Sequence, residues 1–293
     1  MLRRALLMGL VMTPARGWAA DGGTVVASFS VLADFVARIS GGAIGVVSLV
    51  PADMDAHIYL PTAADSRGLA AARALVENGL GMEGWLTRLG QASGFKGVRI
   101  VASTGVTPRS IPDGATTAID PHAWQNPRNG VIYARNIAEG LAEADPSRAD
   151  TYRANAARFV AEIDKMDLWI AAQYAAIPAA ARKIVTTHDA FGYYGDRYGI
   201  AFLAAEGLAT DAEPSAKAIA ALVAQIKREK VRVVFLENMT DPRISKMLAR
   251  ETGATLSGPL FSDSLSKPGG PASDYLSMLR HNTTLMARAM RPA

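Results

Sequence analysis

Residues 145–178 read DPSRADTYRANAARFVAEIDKMDLWIAAQYAAIP, and the reading of this stretch decides the fold. Asp145-Pro146 supplies a helix cap followed by proline in the first turn, where its missing N–H costs nothing. Beyond it, apolar or small side chains recur at Tyr152, Ala156, Phe159, Ile163, Met166, Ile170 and Tyr174. Steps of three and four lay one stripe along a helix, and Pro178 stops the pattern. Roughly thirty residues at about 1.5 Å each make a rod of roughly 45 Å, long for a globular helix. Two helices broken near Asp164 are the alternative.

On both sides of this rod, strand and helix patterns alternate. Before it, Val25–Phe29, Gly45–Val50, Ala74–Asn78 and Val98–Ala102 read as strands, with helices at Ala33–Ser40 and Met82–Leu89. After it, Lys183–Thr187, Ala201–Ala205, Val231–Leu236 and Ala254–Leu260 read as strands. Helices are expected at Ala190–Tyr198, Ser215–Lys230 (introduced by Glu213-Pro214), Pro242–Thr252 and Tyr275–Met290. Alternation of this kind builds parallel βαβ units. The expected fold is α/β: two lobes, each a mainly parallel sheet with flanking helices, joined by one long rigid helix. The expected division is a signal peptide at 1–19, an N-terminal lobe at 20–145, the linking helix at 146–178 and a C-terminal lobe at 179–293.

The first residues stand outside this fold. Met1-Leu2-Arg3-Arg4 is a short basic start, and Ala5–Met12 is an apolar run too short to span a bilayer. Gly17 and Ala19 flank Trp18 in a small-x-small pattern, which places cleavage after Ala19. Loss of Arg3, Arg4 and Arg16 lowers the formal charge from +4 to +1. The remaining positive charges are scattered, with no basic stripe interleaved with aromatics, so nucleic acid is not an expected partner. The chain has no cysteine, hence no disulfide framework and no cysteine for a lipid anchor. No later stretch reaches eighteen consecutive apolar residues. These readings predict an exported protein in a bacterial periplasm, not embedded in the membrane, without a lipid anchor and monomeric.

Three of the four histidines lie in polar, turn-rich segments just beyond expected strands: Asp55-Ala56-His57-Ile58-Tyr59, Asp120-Pro121-His122-Ala123-Trp124 and Thr186-Thr187-His188-Asp189. Ser262-Asp263-Ser264 offers a carboxylate in the same kind of place. Ligands of open parallel sheets bind outside the carboxyl ends of the strands, and three imidazoles with one carboxylate make a four-coordinate shell that suits zinc. Asp55, Asp120 and Asp189 are placed to fix the imidazole tautomers, or else to cap turns. His281 falls mid-helix without such a context and is left out of the set. Glu237, at the end of a strand, either orients a ligand or serves as the general base of a zinc hydrolase. H-E-x-x-H, G-x-S-x-G and phosphate-loop patterns are absent.

Four segments together resemble a known family. Asp-x-His-x-Tyr-x-Pro at Asp55–Pro61, Asp-Pro-His-x-Trp at Asp120–Trp124, Thr-Thr-His-Asp-Ala-Phe at Thr186–Phe191 and Phe-Ser-Asp-Ser-Leu at Phe261–Leu265 are similar to the motifs of metal-binding receptors of bacterial zinc and manganese ABC transporters. The resemblance implies that His57, His122, His188 and Asp263 ligate a metal passed to an inner-membrane ABC permease, with no catalysis. It also implies the two-lobed fold. Manganese and iron receptors of this family often carry glutamate at the third position; His188 therefore leans the set towards zinc, with manganese as the alternative. Thr104–Ile119 contains no histidine, whereas many zinc receptors have a histidine-rich loop there. In this respect the chain resembles the Azt-type zinc receptors, which implies a separate periplasmic metallochaperone as metal donor.

Overall fold

The structure, a computed structural model, describes residues 23–113, 116–204 and 215–291. The expected signal peptide, Ala205 and Glu213-Pro214 lie outside the described residues.

The N-terminal half runs β1 (Thr24–Phe29), α1 (Ser30–Ser40), β2 (Gly45–Val50), α2 (Ala63–Ala70), β3 (Ala74–Glu77), α3 (Leu86–Ser93) and β4 (Val98–Val101). A hairpin of β5 (Ser110–Asp113) and β6 (Thr116–Ile119) follows, then α4 (Pro127–Ala144). The linking helix is α5 (Ala149–Tyr174), preceded by a single 3-10 turn at Pro146–Arg148. The C-terminal half runs β7 (Lys183–Thr186), α6 (Gly192–Tyr198), β8 (Ala201–Ala204), α7 (Ala216–Glu229), β9 (Val233–Glu237), α8 (Pro242–Thr252), β10 (Thr255–Leu260) and α9 (Tyr275–Met290).

Each half carries one four-stranded parallel sheet, ordered β2-β1-β3-β4 and β10-β9-β7-β8. β1 holds β2 through Val25↔Val46 and β3 through Val25↔Ala74. In the second sheet β7 lies between β8 and β9, through Val185↔Leu203 and Val185↔Val234. In each sheet the first strand of the half is internal, so the chain reverses its direction of progress beside it. Such a reversal opens a crevice at the carboxyl edge.

The linking helix is continuous through Asp164, and the alternative of two broken helices does not occur. Its 26 residues make it shorter than expected, in part because Pro146–Arg148 takes 3-10 geometry. All seven residues of the apolar stripe are buried, together with Asp167. Asp167 is a buried carboxylate held by Arg197 (Nε 3.0 Å, Nη2 2.6 Å) and by the Tyr198 hydroxyl at 2.7 Å, so α5 is fixed to α6. Towards the other end Arg38 of α1 reaches Glu162 of α5 at 3.5 Å and Asp274 at 2.8 Å. α9 is tied to the N-terminal half: Tyr275 N donates to Asp34, and its hydroxyl donates to Trp124 O at 2.6 Å. The main apolar core runs through both halves without interruption, from Phe29 and Phe35 to Tyr194, Leu260 and Met286. A smaller cluster, with Val185, Leu222, Ile226, Val234 and Leu248, fills the space under α7 and α8.

Three elements go beyond what the sequence predicts: α2, the β5–β6 hairpin and α4. α4 packs closely on the first sheet because Gly140 has no Cβ; one would overlap Ile100 Cγ1. The last carbonyls of α5 have no intrahelical partners. Arg182 serves that end, donating to Tyr174 O at 2.8 Å, and it also donates to Ile177 O in the turn that follows and to Tyr198 O at the end of α6, each at 3.0 Å. Arg182→Ala leaves three carbonyls without that donor and should lower unfolding free energy by about 2 kcal/mol, measured by urea titration; an unchanged midpoint would contradict this role.

Candidate metal centre

The four predicted residues come together. One ligand atom from each of His57, His122, His188 and Asp263 lies within 4.8 Å of all the others, and among the described residues this is the group of its kind. His57 follows β2, His122 follows the hairpin, His188 follows β7 and Asp263 follows β10. Two donors thus come from each half, and those of β2, β7 and β10 lie past the carboxyl ends of their strands.

Each is fixed locally. His57 N donates to Asp55 Oδ1 at 2.8 Å, and the Trp85 indole donates to Ala56 O at 2.8 Å, so the loop is tied to the turn before α3. Tyr59 packs its ring on Trp85 at 5.2 Å and donates its hydroxyl to Asp65 at 2.9 Å. Asp120 Oδ1 accepts from His122 N at 3.0 Å and lies 2.8 Å from Nδ1, which leaves Nε2 for the site. Glu237 does the same for His188. Its Oε1 accepts from Thr187 N at 2.8 Å and His188 N at 3.1 Å, and its Oε2 lies 2.8 Å from Nδ1 as an ion-pair contact. Glu237 is buried behind the His188 ring, its Oε1 taken by two backbone N–H groups and its Oε2 against Nδ1, which is the place of a residue that orients the imidazole. The orienting role expected of Asp189 belongs to Glu237 instead. Asp189 faces Arg109, and burial, eased by that guanidinium, raises its pKa.

The loop of Asp263 is clamped to the turn after His122. Trp124 Nε1 and Gln125 Nε2 both donate to Ser262 O, at 3.0 and 2.6 Å. Asp263 Oδ2 then lies 3.1 Å from His188 Nε2 and 3.3 Å from His57 Nε2, and Oδ1 lies 3.4 Å from His122 Nε2. His57 Nε2 and His122 Nε2 are 3.1 Å apart. Donors about 2.05 Å from a common tetrahedral centre stand about 3.3 Å from one another; the four contacts just given are near that value, within a group whose donor atoms span up to 4.8 Å. His122, His188 and Asp263 have no exposed surface, while the His57 side chain keeps 12%.

Electrostatics follow from the same contacts. Burial pulls the His122 pKa down, but Asp263 and Asp120 outweigh it and raise the value to about 9. Burial likewise opposes charge on His188, and Glu237 and Asp263 lift its pKa well above the ordinary histidine value. Burial works against ionised Asp263, yet His122 and His188 hold it well below the usual carboxylate range. The centre favours positive charge at its middle. His281 plays no part: it lies on α9, with Nε2 3.0 Å from Pro259 O.

Residues 25–289 match the family described as zinc-uptake complex component A, periplasmic (ZnuA). The chain is 30% identical over 269 residues to the iron-binding protein YfeA of Yersinia pestis, covering 90% of this chain and 85% of that protein. It is 31% identical over 274 residues to the manganese ABC transporter substrate-binding lipoprotein PsaA of Streptococcus pneumoniae, covering 91% and 88%. A solved manganese-bound periplasmic metal-binding protein from Candidatus Liberibacter asiaticus superposes with a TM-score of 0.83 at 28% identity, over 92% of this chain and 99% of that one. Since PsaA is named a lipoprotein, the comparisons do not support the expectation of an unanchored protein. Among the described residues no helix is long and apolar enough to cross a membrane. A match that spans both sheets, the linking helix and the four-donor centre leads to one conclusion: this chain belongs to the ZnuA family, and is an extracytoplasmic metal-binding receptor of an ABC transporter and not an enzyme.

Proposed function

We propose that the protein binds one Zn(II) as cargo through Nε2 of His57, His122 and His188 and the carboxylate of Asp263, and delivers it in the periplasm to the permease of its transporter. The observation that carries this reading is the convergence of three imidazole nitrogens and one carboxylate within 4.8 Å of one another. Imidazole-rich sets suit zinc, and oxygen-rich sets suit manganese. Manganese is the second reading, because relatives are named for manganese and iron. We further propose the division into lobes at 20–145 and 179–293 about a linking helix at 146–178, with the protein acting as a monomer. The histidine-free segment Thr104–Ile119 supports an Azt-like arrangement, in which a separate metallochaperone supplies the ion.

His122→Ala removes a buried donor and should weaken zinc binding by more than about a hundredfold, beyond the 10–100-fold typical of losing an outer partner. His281→Ala should bind as the wild type does. Competition titration with a chromophoric chelator measures both, and unchanged affinity in His122→Ala would exclude the assignment.

Metal and protons compete for the same nitrogens. With the pKa raised to about 9 at His122 and raised also at His188 by Glu237 and Asp263, the metal-free site is expected to hold protons at neutral pH. The stabilisation those protons give the metal-free protein is complete below the ordinary histidine pKa and is lost as pH rises through the raised values. Zinc should therefore displace about two protons at pH 7.5, with release declining at pH values above the raised pKa values. Calorimetry in buffers of different ionisation enthalpy counts them; zero release at pH 7.5 would contradict protonated imidazoles in the metal-free site.

His188→Glu replaces nitrogen by oxygen and should lower the zinc-to-manganese affinity ratio, although zinc can remain the tighter ligand under the Irving–Williams order. An unchanged ratio in paired titrations would show that position 188 does not govern metal choice.

A further inference from the structure

Arg109 precedes β5 in the N-terminal half, yet its side chain ends on the C-terminal half. Its backbone N–H donates to the Tyr193 hydroxyl at 2.9 Å, and its Nε donates to Asp196 Oδ2 at 3.0 Å; both partners belong to α6. Its Nη1 donates to Asp120 Oδ2 at 3.0 Å, and the other oxygen of that carboxylate holds His122. A third carboxylate, Asp189, in the turn between His188 and α6, adds favourable electrostatics to the guanidinium. Gly192, the first residue of α6, makes the contact possible: a Cβ there would overlap Nη1 and Cζ of Arg109.

The two arms differ in strength. The Asp196 side chain is 69% exposed, so its arm is screened by water, whereas Asp120 has no exposed surface. A charge-assisted hydrogen bond to a buried carboxylate is the stronger kind. The planar fork of arginine lets one group serve both directions at once. A single guanidinium therefore joins the carboxylate that holds His122 to the helix that begins four residues after His188.

We propose that Arg109 is a positioning residue: a strap across the two halves that fixes His122 relative to His188 and so sets how long the site retains its ion. This rests on the zinc-receptor reading above. Metal sites held by supporting contacts lose their ion more slowly because the donors stay in place.

The test compares wild type, Arg109→Gln, Arg109→Lys, Gly192→Ala and Asp196→Asn as full mature chains. Zinc transfer to excess chelator is followed by stopped flow, and amide exchange is followed in the metal-free proteins. Arg109→Gln and Gly192→Ala should each release zinc roughly tenfold faster, the scale of one hydrogen bond to a charged group, while still binding one zinc per chain. Arg109→Lys should fall between, since it keeps the charge but loses the fork. Asp196→Asn, at an exposed position that folding tolerates, should accelerate release by about twofold. Exchange should rise in β6 and α6 in the first two variants. Arg109→Gln releasing zinc at the wild-type rate would overturn the strap. So would wild-type release and exchange in both Gly192→Ala and Asp196→Asn, because Arg109 would then act on Asp120 alone. Failure of the wild type to bind zinc would refute the zinc reading instead, and the exchange of the metal-free proteins would still decide the strap.

Discussion

Three imidazole nitrogens and the Asp263 carboxylate meet with their lone pairs aimed at one region, two of the nitrogens 3.1 Å apart. Neutral donors so placed repel one another unless positive charge lies between them, as a proton or as a metal ion. The carboxylates of Asp120 and Glu237 stand behind two of the rings and turn their Nε2 atoms inward. Everything further out serves to bring these parts to one place. The Ser262 carbonyl, taken by both Trp124 and Gln125, holds the Asp263 loop against the His122 turn.

The scaffold does this through two parallel sheets and a packed spine. Because the first strand of each half is internal to its sheet, each sheet presents a loop-bearing carboxyl edge, and two donors arise from each half. α5 is clamped at one end through Asp167 to Arg197 and Tyr198, and further back through Glu162 to Arg38. With α9 bonded to the Trp124 turn and to Asp34, the halves share one core. The linking helix is thus packed into that core along its whole apolar stripe.

The spine was legible because seven side chains at steps of three and four must share a face, and all seven are buried. The strands were legible because buried parallel strands are short β-branched runs, and their observed ends differ from expectation by a residue or two. The convergence of the four side chains was legible because each sits in a polar turn, those of His188 and Asp263 directly past such a run. α4 was not, although Asn126-Pro127 caps and starts it: glycine lowers helix propensity, and the need for Gly140 emerges only when Ile100 is seen against it. Glu237 could be read as orienting a ligand, but that it serves His188, in place of adjacent Asp189, could not. That pairing depends on β9 lying beside β7, which is a fact of topology and not of sequence distance. Arg109 escaped for the same reason, since nothing local links it to Gly192.

Burial within the centre is uneven, and this gives exchange a direction. His122, His188 and Asp263 are sealed by the core, while His57 alone of the four touches solvent and sits on a loop with no regular structure. Solvent therefore reaches the four-residue centre at the His57 corner and not through the other three side chains. Any group that enters the centre from outside meets His57 first, and the three buried side chains lie behind it.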